Sequence, residues 1–314
     1  MRCNIYVDNI NVMMYITFTD TRKRKKIISF SEVSLKMVQR EKKDKRMTQG
    51  ERRVYLIREL QKEMPEYTGL QIPDDEQGQR DLLRALFNVR LPAPASEEFL
   101  MVQDEYLQER AKEKGITDIN DLEPVTSDPR LYLWQGDITT LKCDAIINAA
   151  NSQMTGCYRP LHNCEDNIVG SFSGIELRWE TYQRMEEQRK IHGQDYEQPT
   201  AVPMITSAYN LPSKHIIHVV GPIVMGSLTK RHKDLLAECY RASLDLAAEN
   251  GCGNIAFCCI STGVFMFPAD RAAEIAVKTV RKWLDEHTES CVKKVVFNVF
   301  KDSDRIIYDR LLNA

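Results

Sequence analysis

Two thiols and an imidazole fall within one short stretch, Cys157-Tyr158-Arg159-Pro160-Leu161-His162-Asn163-Cys164. Side chains of these types can converge on one ion. Three protein ligands with an open fourth position is the arrangement of a catalytic zinc site. A structural zinc would need a fourth protein ligand, and no further Cys or His lies close in sequence. The competing reading is a loop with two ordinary buried cysteines. Asp166 lies two residues beyond Cys164, where it can act as a general base or orient a ligand. It reads equally well as a carboxylate in the first turn of a helix, where the macrodipole favours it.

Three other segments carry side chains or backbone suited to a polar ligand. Asn148-Ala149-Ala150-Asn151 closes an apolar run: two amides can bond one ligand, with alanines between them that let it approach. Asn is otherwise a poor strand residue, and a capped loop is the alternative. Gly136-Asp137-Ile138-Thr139 offers a carboxylate that can accept from a ligand amine, although Gly-Asp is also plain turn chemistry. Ser261-Thr262-Gly263-Val264-Phe265 precedes a helix that starts near Pro268. Backbone N–H groups in such a place suit phosphate oxygens. The segment has neither the Gly-x-Gly-x-x-Gly pattern nor the Walker lysine, so a pyrophosphate would be held by main chain.

The elements that must position these residues follow from hydrophobic periodicity. Candidate strands cover 132–135, 145–149, 201–206, 216–220, 255–260 and 295–300, and candidate helices 176–190, 233–249 and 269–287. Strands rich in Val and Ile with little alternation are buried on both faces, which means a mainly parallel sheet between helix layers. Ligands of such sheets sit at the carboxyl ends of the strands, and all four segments follow a candidate strand. His215 and His218 flank a buried strand and read as structural, as do Trp134 and Trp283. Cys258 and Cys259 read as inert buried thiols.

Ahead of this part, apolar residues at helical spacing predict one helix from Thr48 to Pro65 and another over 81–89. A third starts after Ser96, a suitable N-cap, and ends at Gly115. These make a small helical appendage, 47–120, in which nothing looks chemical. Residues 1–46 differ again, with an unbroken basic run from Arg22 to Lys26. They read as a disordered or non-native extension, with Met47 as the expected true start.

Bulk composition narrows the class. A formal net charge of -2 gives no reason to expect nucleic acid as a partner. No apolar stretch is long enough for a membrane helix, and the N-terminus lacks the layout of a secretory signal. Nine cysteines, an odd count, fit a reducing compartment, and a cytoplasmic location is expected.

Taken in order, Gly136–Thr139, Asn148–Asn151, Tyr209-Asn210-Leu211-Pro212, His218-Val219-Val220-Gly221-Pro222 and Ser261–Phe265 resemble the landmarks of a macrodomain over residues 131–313. The Cys157–Cys164 segment, in place of a glycine-rich loop, is similar to the zinc-dependent branch that removes ADP-ribose from proteins. The helical lead-in also resembles that branch. The resemblance implies a three-layer α/β/α fold with a mixed, mainly parallel sheet, preceded by a small helical N-terminal extension. It implies a protein-ADP-ribose hydrolase of glycosidase or esterase type, with Zn2+ held by Cys157, His162 and Cys164.

By position, the resemblance gives Asp137 the adenine amino group with Ile138 beside it, and gives Phe300 a stacking role on the adenine. Ser261, Thr262, Gly263, Val264 and Phe265 would hold the diphosphate. Asn148 and Asn151 would orient the distal ribose, with Asp166 assisting catalysis. An ADP-ribosylated protein is the implied substrate, with a sirtuin-type ADP-ribosyltransferase and a lipoyl-carrier protein as further partners. The branch pattern has His where this chain has Gly170, and an apolar residue where it has Glu165. A non-catalytic ADP-ribose reader and an O-acetyl-ADP-ribose deacetylase are the alternatives, since both would use the same pocket.

Overall fold

A computed structural model describes residues 47–313 and two strands before them. β1 (Cys3–Val7) and β2 (Met14–Phe18) pair antiparallel within a unit of residues 1–51, and a second unit runs from Arg52. The expectation of a disordered extension over 1–46 otherwise lies outside the described residues.

Three helices follow: α1 (Gln49–Glu63), α2 (Glu76–Val89) and α3 (Glu97–Lys114). The Asp75 carboxylate accepts from the Gly78 amide and the Ser96 hydroxyl from the Phe99 amide, so each helix start has one of its free donors satisfied. α1 stops short of Pro65, which has no N–H to continue the ladder. Leu56, Leu60, Leu83, Leu86, Phe99 and Tyr106 close a core that also takes in Ile175.

The α/β part contains β3 (Thr117–Asp118), β4 (Pro124–Val125), β5 (Asp128–Gln135), β6 (Leu141–Lys142), β7 (Ala145–Ala150), β8 (Met204–Ser207), β9 (His215–Val220), β10 (Asn254–Phe257) and β11 (Lys294–Val299). Its helices are α4 (Glu165–Ser173), α5 (Ile175–His192), α6 (Lys230–Glu249), α7 (Ala269–Glu286) and α8 (Asp302–Leu312). Seven strands form one sheet in the order β4-β5-β11-β10-β7-β9-β8. The five central strands run parallel and the two edge strands antiparallel. β7 and β9 are buried along nearly their whole length, as a sheet covered on both faces requires. The architecture is therefore the expected three-layer α/β/α arrangement. α7 shows why: Ala272, Ala276, Val280 and Trp283 make one apolar stripe against the sheet, and the Trp283 indole N–H donates to Asp245 at 2.6 Å.

Element boundaries differ from the sequence expectation at several strand ends. The strand read as 255–260 ends at Phe257, where the chain tightens so that the Ile260 amide reaches the Cys258 carbonyl at 2.9 Å. The strand read from 201 begins at Met204, because Ala201 has φ +66° and Pro203 cannot donate to a ladder. α8 was not expected as a helix, and of α4 only a helix start at Asp166 was expected, as one of two readings. Among the described residues no helix is long and apolar enough to cross a membrane.

Candidate active site

The end of β7 and the start of α4 meet at a buried carboxylate. Asp166, in the first turn of α4, accepts from the Asn148 amide at 2.9 Å on one oxygen and from the Asn151 amide at 3.0 Å on the other. The two asparagines read from the sequence are thus brought together, with Asp166 between them. Burial pushes the Asp166 carboxyl up, and the Asn148 amide and the Arg178 charge oppose that shift.

The second hydrogen of the Asn148 amide points to His218 on β9, with Nδ2 3.0 Å from Nδ1. Since Nδ2 can only donate, Nδ1 accepts, and the ring proton lies on Nε2, 3.0 Å from the Thr206 hydroxyl. Burial, reinforced by the Arg184 charge, holds His218 down to about 3, so the ring is neutral and fixes the Asn148 rotamer. Sequence reading took His218 for structural. Its contact with Asn148 follows from the β7–β9 register, which sets the two side by side, and no local spacing reports that. With both amide hydrogens engaged, Asn148 Oδ1 is a buried acceptor with no partner among the described residues. Asn148, Asp166, Gly170, Arg178 and His218 line a common cavity.

The Cys–His segment folds as a loop between β7 and α4. The donor atoms of Cys157, His162 and Cys164 all lie within 4.8 Å of one another, with Cys157 Sγ 3.7 Å from His162 Nδ1. Zinc–sulfur and zinc–nitrogen bonds of ~2.3 and ~2.1 Å at a tetrahedral angle put such atoms roughly 3.6 Å apart, so the donor set fits zinc. Burial pushes the Cys164 thiol up to about 12; a bound cation would favour the thiolate instead. Next to it, Glu165 has a buried carboxyl oxygen without a partner. Burial, with Asp166 close by, pushes that carboxyl up to about 8.

The remaining predicted residues lie along the carboxyl ends of the strands. Asp137 follows β5 and accepts from the Thr139 amide at 3.0 Å and its hydroxyl at 2.6 Å. Lys114 of α3 forms an ion pair with it and sits 3.6 Å from the Phe172 ring centroid. Burial works to raise the Asp137 carboxyl, but Lys114 and Thr139 outweigh it and hold it below its usual range. Gly136 is required beside it, because a Cβ there would enter the Trp134 ring. Ile138 is buried.

In the 261–265 loop, Ser261 has φ +66° and is buried. The amides of Thr262, Met266 and Phe267 bond local carbonyls, while those of Gly263, Val264 and Phe265 have no protein acceptor among the described residues. Phe265 packs against the cluster of Ala150, Met154, Met185 and Val220, and Val264 faces solvent. Phe300, just beyond β11, is 75% exposed.

The Macro domain family matches residues 147–276. A protein-ADP-ribose hydrolase of Treponema medium is 52% identical over 269 residues, covering 85% of this chain and 100% of that protein. A protein-ADP-ribose hydrolase of Staphylococcus aureus (strain MSSA476) is 44% identical over 260 residues, 82% of this chain and 94% of the relative. Among solved structures, the Trypanosoma brucei macrodomain in complex with ADP-ribose superposes with a TM-score of 0.54 at 28% identity, covering 73% of this chain and 94% of that one.

Proposed function

The chain belongs to the Macro domain family and is a hydrolase like its relatives; from that premise we propose that it removes ADP-ribose from modified protein side chains with a zinc ion held by Cys157, His162 and Cys164. The observation that carries this reading is one convergence. A buried carboxylate, clamped by two asparagine amides, begins its helix two residues after the last donor of a Cys–His–Cys cluster.

In this proposal the base end of the nucleotide lies at Asp137, whose carboxylate accepts from the adenine amino group beside Ile138, with Phe300 stacked on the ring. The amides of Gly263, Val264 and Phe265, with Ser261 and Thr262, receive the diphosphate. That places the distal ribose at Asn148, where the unpartnered Oδ1 accepts from a ribose hydroxyl. Such a contact compensates a buried acceptor that otherwise costs about 1–3 kcal/mol.

Hydrolysis breaks the bond between the ribose and a side-chain oxygen, or an ester to that ribose. Asp166 takes the proton from the attacking water and returns it to the departing oxygen, and burial raises the affinity of its carboxyl for a proton. Asn148 and Asn151 keep both carboxylate oxygens oriented. Zinc, when bound, supplies Lewis acidity that polarises a ribose or water oxygen. A reader would need the nucleotide contacts but not an open Cys–His–Cys cluster, so the cluster favours hydrolysis. The proposal extends to the modified protein alone, since no residue of the site argues for a sirtuin-type transferase or a lipoyl carrier as partner.

The test is release of ADP-ribose from a modified protein before chelation, after it, and after zinc is returned. Loss and recovery are expected. Full release from zinc-free protein would overturn the metal part of the proposal and leave the hydrolase.

A further inference from the structure

We infer that the helical appendage is part of the metal site: Arg84 on α2, acting with Asn88 through Asn167, is a positioning residue that holds the Cys157–Cys164 backbone in the shape its three donors need. The inference rests on the proposal that these donors bind zinc.

The loop from Gly156 to Cys164 has no helix or strand of its own. Its internal backbone support is one long bond, from the His162 amide to the Arg159 carbonyl at 3.4 Å. Fixing each residue of such a segment costs roughly 1–2 kcal/mol in backbone entropy, so convergence of three side chains needs an outside constraint. Among the described residues that constraint reaches the loop through its carbonyls. Arg84 donates one hydrogen of Nη2 to the His162 carbonyl at 2.8 Å and the other to Asn167 Oδ1 at 2.7 Å. Asn167, in α4, uses its own amide to hold the Arg159 carbonyl at 2.7 Å and reaches the Cys157 carbonyl at 3.4 Å. One guanidinium therefore fixes the carbonyl of one proposed ligand directly. Through a single asparagine it also steadies that of another.

Asn88, one turn further along α2, completes the network. Its amide donates to Ser171 Oγ at 2.8 Å and lies 3.1 Å from Asn167 Oδ1. Asn88 and Asn167 are 1% and 0% exposed, so water cannot replace a lost partner, and a broken contact leaves a buried polar group unpaired. Arg178 ties the end of α2 to the same loop, donating to the carbonyls of Asn88 at 2.7 Å and Arg90 at 2.6 Å and reaching that of Cys157 at 3.4 Å. A polar helix face that merely met solvent would have no reason to bury these amides. Groups of this kind, which orient ligands without touching the metal, typically change metal affinity by about 10–100-fold when removed.

The experiment measures zinc affinity of the full chain by competition with a chromophoric chelator, for wild type, Arg84→Met and Arg84→Lys. Circular dichroism checks that each is folded. Wild type is expected to take up one zinc, Arg84→Met to bind it about 10–100-fold more weakly, and Arg84→Lys to fall between, because a lysine keeps the charge but its shorter side chain cannot place one nitrogen where Nη2 meets both acceptors. A folded Arg84→Met protein that binds zinc as tightly as wild type overturns the inference while leaving the metal site intact. If Arg84→Met does not fold, Arg84→Lys decides: unchanged affinity overturns the inference and weaker binding supports it. Wild type that takes up no zinc would instead refute the proposed metal site, and the inference with it.

Discussion

Replacing His218 with Gln should flatten the acid sensitivity of the protein. In the folded chain His218 is held down to about 3, by burial and by the Arg184 charge, whereas an exposed His titrates near ~6.5. Above about pH 6.5 the ring is neutral in both states and makes no pH-dependent contribution. Below that, the unfolded chain binds a proton that the folded chain refuses until about pH 3, so stability falls as pH falls through this window. The slope rises from half its limit at pH 6.5 toward about 1.4 kcal/mol per pH unit, so lowering the pH from 6.5 to 4.5 should remove roughly 2 kcal/mol through this residue alone. Gln cannot titrate, and its amide can still offer an acceptor toward Asn148. Urea unfolding of both proteins at the two pH values isolates the effect as a difference of differences, in which the carboxylates common to both cancel. An equal loss in wild type and His218→Gln would refute a neutral, buried His218, and with it the account of how Asn148 is oriented.

Gly170 lies inside α4, and a Cβ there would meet nothing within 4 Å. Gly170→Ala should therefore raise stability by about 1 kcal/mol, read as a higher midpoint in thermal melts. Asn148→Ala removes one of the two amides on Asp166 and the acceptor proposed for the ribose. Release of ADP-ribose should drop by about 10–100-fold, the loss of one hydrogen bond to a charged group, with unchanged release counting against the assignment. Phe300→Ala should leave stability within about 0.5 kcal/mol, since the ring is exposed. The same change should weaken ADP-ribose binding by about 5–100-fold if the ring stacks on adenine, which calorimetry can check.

Much of the architecture was legible because buried parallel strands read as apolar runs: the segments around Ile146, Ile217 and Val296 all fall in central strands. Ends were harder. The run from Ile255 stays apolar through Ile260 although pairing stops at Phe257, and hydropathy cannot register a turn inside an apolar stretch. Beyond a possible helix start at Asp166, α4 was not legible because Asn167, Gly170, Ser171 and Ser173 are weak helix formers, and tertiary contacts hold them in place. In the site, the asparagine pair and the Cys–His–Cys spacing were local and readable. The clamp on Asp166 spans 18 residues, and the link from Asn148 to His218 spans 70. The appendage looked chemically silent, since Arg84, Asn88 and Lys114 sit on amphipathic helices where polar side chains normally face water. Only the folded chain turns them toward His162, Asn167 and Asp137.

The most direct measurement compares Cys164→Ala with wild type in two assays on the same preparations: ADP-ribose release from a modified protein, and binding of free ADP-ribose. Release should be lost while binding stays within a few-fold, because Cys164 belongs to the cluster and the proposed nucleotide contacts lie elsewhere along the strand ends. Wild-type release from the Cys164→Ala protein would contradict a catalytic role for the Cys157, His162 and Cys164 cluster.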